Sequence, residues 1–194
     1  CTVIEVSARL PALQHIVVFS DPGTPEGGSD DGGWRTPNLI GSSSRLHDAA
    51  DLLEGAIASP PAPTSCDEPA FWLYTSGSTG LPKGAIHLHH DIWVAADCWG
   101  QRTMGMGPDD VHLSASKLYF AYGLGNSLHC PMWSGGSAVL IDERPTPSNM
   151  TEAIAANKVT HFYAVPSFYS AMMADDGFSA AIAAGLYSSL EVCV

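Results

Sequence analysis

Apolar residues fall along this chain in short runs separated by Gly, Ser and Pro. The run QHIVVF at 14–19 is β-branched and reads as a buried strand. From 21 to 45 Gly, Ser, Asp and Pro dominate with no apolar period, which predicts a surface loop. Leu52, Leu53 and Ile57 share one face at helical spacing, so 47–58 is expected to be a short helix. The stretch Ser59-Pro60-Pro61-Ala62-Pro63 is a stiff connector, because proline removes the donor that a helix or a ladder would use.

Two strands follow, at 70–74 and 84–88, and pair as a hairpin around a long glycine-rich loop. Asp91 is placed to cap a helix from 92 to about 101. Strands are predicted at 111–115, at SAVLI 137–141, at 160–164 and at 190–194. Between them, 119–128 mixes aromatics with Gly123 and Gly125 and turns helical. Pro145 and Pro147 stop the 137–141 strand, and Ser148 is the expected cap of a helix to about 157. Pro166 suits the first turn of a helix to 174. Strands alternating with helices predict an α/β fold, a mixed β-sheet flanked by helices. The organisation divides at the prolines: a first segment, 1–68, with the Gly/Ser/Pro-rich loop, and a second, 69–194, with the motifs.

Composition narrows the partners. With 194 residues and 45% hydrophobic content, the chain can bury a core. The net charge is −12, with eight Lys and Arg, so no clustered cations are available for nucleic acid or an anionic membrane. A phosphate site would have to rest on backbone N–H groups and one or two cations. Cys1, Cys66, Cys98, Cys130 and Cys193 are odd in number and widely spaced, as free thiols in a reducing, cytoplasmic setting would be. No signal peptide or membrane-length apolar run is visible. The chain opens on Cys1 and closes on a strand, so it is expected to be an internal fragment of a longer protein.

The chemistry concentrates in Tyr74-Thr-Ser-Gly-Ser-Thr-Gly-Leu-Pro-Lys-Gly84. Gly77, Gly80 and Gly84 allow close backbone approach and positive φ. Thr75, Ser76, Ser78 and Thr79 add hydroxyls, and successive N–H groups in such a loop form an anion cradle. Lys83 supplies a mobile cation suited to phosphate. A Walker loop is excluded, because Pro82 precedes the lysine and Gly84 stands where that motif needs a hydroxyl.

The stretch resembles the phosphate-loop signature of the adenylate-forming superfamily, which includes acyl- and aryl-CoA ligases, luciferases and peptide-synthetase adenylation domains. The resemblance implies the large N-terminal domain of such an enzyme. It implies that Thr75, Ser76, Gly77, Ser78, Thr79, Gly80 and Lys83 hold the phosphates of ATP, with Mg2+, while a carboxylate attacks the α-phosphorus. Lys117-Leu-Tyr-Phe-Ala-Tyr-Gly-Leu-Gly-Asn126 and Asp142-Glu-Arg-Pro-Thr-Pro147 look like the benzoate-CoA ligase group. There the positions matching Phe120, Ala121, Tyr122 and Gly123 line the acyl pocket, and His89 matches a position near it. Phe162 to Met172 is similar to the family's strand-turn-helix beyond that pocket. The implied substrates are an aromatic carboxylate, ATP and CoA. The family's catalytic lysine belongs to a C-terminal lid domain that this chain does not contain, so no catalytic residue is assigned here and the chain alone is expected to be inactive. The other readings are an adenylation enzyme that loads a carrier protein and a nucleotide-binding remnant without turnover.

Some residues carry a plainer expectation. His87 and His89 would share a strand face, but with His90 they lack companion ligands at a recognisable spacing, so no metal is expected there. Lys117 either steers a carboxylate or lies on the surface. Met172, Met173, Tyr119 and Phe168 are expected in the core.

Overall fold

The computed structural model describes residues 9–18, 46–75 and 80–194, in two compact units, Cys1–Ala62 and Pro63–Val194. In the first, β1 (Ile16–Val18) pairs in parallel with β2 (Leu46–Asp48), with Val17 opposite His47. Strand β1 is not the buried strand expected, since among the described residues it has one partner strand and Val17 is exposed. Helix α1 (Ala49–Leu53) follows at once, and the Asp48 carboxylate accepts the Ala50 N–H at 2.8 Å as its cap. The expected helix at 47–58 is therefore cut to one turn and a half. Leu53 and Ile57 are exposed, and a short helix without a buried stripe has little to extend it. The loop expected at 21–45 lies outside the described residues.

The second unit opens with the predicted hairpin. Strands β3 (Pro69–Thr75) and β4 (Lys83–Leu88) are antiparallel. Helix α2 (His89–Ala95) continues as a π-helical stretch, Ala96–Thr103. Asp91 is not its cap but the third residue of its first turn, where Oδ2 accepts the Leu88 N–H at 3.0 Å. Strand β5 (Val111–Ser114) leads to a helical run built from α3 (Ala121–Leu124), a π-helical Gly125–His129 and α4 (Cys130–Ser134). Then come β6 (Ser137–Val139), α5 (Pro147–Asn157), β7 (His161–Tyr163), α6 (Pro166–Met173), α7 (Phe178–Ala183) and β8 (Val192–Cys193).

Four strands form one parallel sheet in the order β6-β5-β7-β8. Together with the antiparallel hairpin and the flanking helices they make the α/β architecture that the alternation predicts. Side chains alternate across the sheet. Leu113 and Phe162 face one way, into a cluster with Met150, Ile154, Val159 and Met172. His112, His161 and Tyr163 belong to the opposite face, where Tyr163 packs with Ala96, Met106 and Cys130. Burial, and then the neighbouring His161, lowers His112 to about 4, with Asp110 opposing, so this ring is neutral at pH 7.

Helix α5 starts one residue pair earlier than Ser148 suggests. Thr146 is the cap: its hydroxyl accepts the Asn149 N–H at 3.2 Å, and Asn149 Oδ1 accepts the Thr146 N–H at 2.8 Å. Pro147 forces this choice, because the residue before proline is held extended and proline itself fits the first helical position. Phe168 and Met172 pack in the core as expected. Met173 and Tyr119 do not: they are 63% and 78% exposed. Met173 follows Met172 on the outward side of α6, and Tyr119 stands in the loop before α3 with its ring on Phe120.

Candidate active site

The hairpin fixes the two ends of the glycine-rich loop. Thr75 and Lys83 are register partners, so the last strand residue before the loop faces the first one after it. Ser76, Gly77, Ser78 and Thr79 lie outside the described residues. Gly80 has φ +86, a conformation that favours glycine, with open space around the missing Cβ. Below the loop, Tyr74 lies over Gly84, where a Cβ would come within 3.2 Å of the ring. Lys83 is exposed and, among the described residues, in no ion pair. The arrangement offers a mobile cation at the base of a loop whose ends are pinned.

The three histidines part company. Strand β4 ends at Leu88, so His89 opens α2 and does not share a strand face with His87. His89 N–H donates to Glu68 O at 3.1 Å, which moors the helix start to the turn before β3. His87 stacks on Phe71, with Nδ1 3.4 Å from Asp91 Oδ2. His90 Nδ1 is 3.2 Å from Asp67 Oδ1 and 3.1 Å from Cys66 O, and its Nε2 is 3.2 Å from Asp91 Oδ1. The fold thus brings Cys66, Asp67 and His90 together in a mostly exposed group that no local spacing reveals.

Lys117 follows neither expectation. Its ammonium donates to the carbonyls of Ile141 and Glu143, the latter at 2.6 Å. It ties the loop before α3 to the segment after β6. Its own carbonyl accepts the Phe120 N–H at 3.0 Å, and the buried Gly123 packs against the carbonyls of Ser116 and Lys117. Lys117→Met keeps the stem and deletes the charge-assisted bonds, so it should lower the unfolding free energy by about 1.5–3 kcal/mol in a urea titration. A loss below ~0.5 kcal/mol would show that the tether carries no weight.

This tether positions the segment expected to line the acyl pocket. Gly123 is buried, whereas Phe120 and Ala121 are exposed. Tyr122 lines an open cleft of about 650 Å³, with Val165, Pro166, Tyr169, Ser170 and Met173 among the other walls. Its hydroxyl donates to Val194 O at 2.7 Å, and burial raises its pKa. Tyr169 donates to Phe162 O at 3.0 Å and is raised mainly by burial as well. Both phenols therefore stay protonated, and both residues line the cleft. No hydrogen bond, ion pair or ring contact among the described residues joins His89 to Tyr122. The motif reading missed Val165, Pro166, Tyr169 and Ser170. Their signal was the strand-Pro-helix turn at 161–173, which puts the start of α6 at the cleft.

With this geometry in place, the similarity to known proteins is specific. The profile of the family described as AMP-binding enzyme matches residues 5–194. The chain belongs to the AMP-binding enzyme family. It is 39% identical over 167 residues to the benzoate–CoA ligase of Thauera aromatica, covering 86% of this chain and 28% of that protein. It is also 39% identical over 171 residues to the 4-hydroxybenzoate–CoA/benzoate–CoA ligase of Rhodopseudomonas palustris, covering 88% of this chain and 28% of the relative. Among solved structures, the anthranilate CoA ligase AuaEII in complex with anthranoyl-AMP superimposes with a TM-score of 0.76. That match has 27% identity and covers 98% of this chain and 33% of the other. The chain thus spans about 28% of the length of the curated relatives it matches. As an AMP-binding family chain it has the α/β fold of these neighbours. Among the described residues, no helix is long and apolar enough to cross a membrane.

Proposed function

We propose that this AMP-binding family chain supplies the ATP-phosphate loop and one wall of the acyl pocket of an ATP-dependent aryl-CoA ligase. One observation carries the reading: an unbroken Tyr74–Gly84 loop is mounted on a hairpin whose register sets Thr75 opposite Lys83. Thr75, Ser76, Gly77, Ser78, Thr79 and Gly80 would cradle the β- and γ-phosphates of ATP bound with Mg2+, and Lys83 would neutralise charge on the departing pyrophosphate. A carboxylate oxygen attacks the α-phosphorus, the bond from that phosphorus to the bridging oxygen breaks, and pyrophosphate leaves. CoA thiolate then attacks the acyl carbon and AMP departs. Such transfers depend on positioning and charge neutralisation, which a loop held at both ends by the hairpin and a single cation can provide.

The mostly apolar cleft lined by Tyr122 and Tyr169 supports an aromatic acid, and so do the benzoate, hydroxybenzoate and anthranilate in the names of the similar ligases. In this reading His89, Phe120, Ala121, Tyr122 and Gly123 belong to the acyl end, with Tyr122 as the ring-contacting member and Gly123 as the close-packing support. The test is ATP–pyrophosphate exchange by the whole protein that carries this chain, with benzoate, 4-hydroxybenzoate and 2-aminobenzoate supplied in turn. Exchange that requires an aryl acid, followed by thioester formation with free CoA, is the expected result. Exchange without transfer to CoA would point to a carrier-protein acceptor. A folded protein with no exchange on any aryl acid would overturn the substrate class.

A further inference from the structure

Strands β5 and β7 bring two histidines together inside the fold. His112 and His161 are register partners on adjacent parallel strands, so both leave the same face of the sheet. His112 is fully buried and His161 is 3% exposed. Their ring centroids are 4.8 Å apart. Buried imidazole nitrogens are normally hydrogen-bonded. Here the Nε2 atoms of both rings are buried without a partner among the described residues.

The other nitrogen of each ring is held. The Thr160 hydroxyl lies 2.9 Å from His161 Nδ1, 3.0 Å from Asp110 Oδ1 and 3.4 Å from Val111 O. It also accepts the Val111 N–H at 3.0 Å. His161 Nδ1 is thus engaged by Thr160, and Nε2 is the ring nitrogen left without a partner among the described residues. His112 Nδ1 lies 2.9 Å from the Tyr163 hydroxyl. A carboxylate stands beside them, with Asp110 Oδ1 3.5 Å from His161 Nδ1. One ligand atom from each of Asp110, His112 and His161 lies within 4.8 Å of those of the other two. The turn before β6 closes over this group: a Cβ on Gly136 would come 3.2 Å from His112 Nε2 and 3.0 Å from Asp110 O.

Imidazoles anchored through one nitrogen and free at the other, next to a carboxylate, form a donor set for a borderline divalent ion such as Zn2+. Nitrogen donors disfavour Mg2+ and Ca2+, which take oxygen. We propose that Asp110, His112 and His161 form a buried transition-metal site that clamps β5 to β7. Zinc–nitrogen bonds of about 2.0–2.1 Å require the trio to draw together on loading. A buried water is the other group that could serve these nitrogens.

The test starts from the full chain, stripped with a chelator and titrated with Co2+ and then Zn2+. One equivalent of Co2+ should bind with visible ligand-field absorption, Zn2+ should displace it, and the thermal midpoint should rise with Zn2+. His161→Leu should abolish the signal. Tyr163→Phe keeps the ring packing, removes the hydroxyl from His112 Nδ1, and should weaken Co2+ binding by ~10–100-fold. Cys66→Ser combined with His90→Ala, at the exposed group, should change nothing. Absence of stoichiometric binding by the unmodified chain overturns the proposal and leaves the water. So does binding that survives His161→Leu but is lost with Cys66 and His90. If His161→Leu fails to fold, the Tyr163→Phe affinity and the zinc-edge X-ray absorption decide: imidazole ligands without sulfur are expected, and a sulfur ligand overturns the assignment.

Discussion

A Lys83→Ala protein should keep its fold and lose aryl-acid-dependent ATP–pyrophosphate exchange by about 10²–10³-fold, the usual effect of deleting one charge-stabilising donor. Stability should change by no more than ~0.5 kcal/mol, because the side chain is exposed and among the described residues forms no ion pair. The loss follows from electrostatics. In the proposed site Lys83 is the sole full positive charge between Tyr74 and Gly84. Lys83→Arg should restore only part of the activity, since a planar fork replaces a compact ammonium at a position set by strand register. Exchange within about threefold of the unmodified protein, measured at saturating ATP, would remove the lysine from the phosphates. Because the folding readout is separate, an inactive protein that has also unfolded would not count for the proposal.

The parts of this structure that were legible in the sequence are those set by local pattern. The β-branched and alternating runs became β1, β3, β4, β5, β6 and β7 close to where they were expected, because each strand's extent is set by its period and flanking breakers. Helix starts were less legible. Asp91 and Ser148 are good capping residues by type, but the backbone selects Leu88 and Thr146, the second through Pro147. Lys117 and Tyr169 acquire their roles from contacts across 24 or more residues, or across a turn that closes only in the folded state. The His112–His161 pair depends on the parallel register of β5 and β7, which neither strand encodes alone. Met173 shows the opposite failure. An apolar pair on a helix reads as core, yet adjacent residues point about 100° apart and one of them must turn outward.

Gly123→Ala is expected to destabilise the chain by ~3 kcal/mol or more, at the severe end for adding a single methyl group. An added Cβ would stand 2.3 Å from Lys117 O, 2.4 Å from Ser116 O and 2.7 Å from Lys117 C, all backbone atoms. A flexible side chain could swing aside, but this backbone is restrained twice. Lys117 is bound through its ammonium to the carbonyls of Ile141 and Glu143, and through its carbonyl to the Phe120 N–H. Relief must therefore come from α3 moving away, which would carry Tyr122 out of the cleft wall and break its bond to Val194 O. Gly125 is the internal control. It has φ −63 and ψ −52, and nothing stands within 4 Å of its missing Cβ. Gly125→Ala should leave stability unchanged or raise it by ~0.5–1 kcal/mol, by restricting the unfolded chain. Urea unfolding with equal m-values would give the two signs directly. If Gly123→Ala falls within ~1 kcal/mol of the unmodified chain, α3 can retreat at little cost and the close packing does not hold Tyr122 in place. If it unfolds as expected while Gly125→Ala does not, the glycine at 123 is required by contact, and the Tyr122 wall of the cleft is a rigid part of the site.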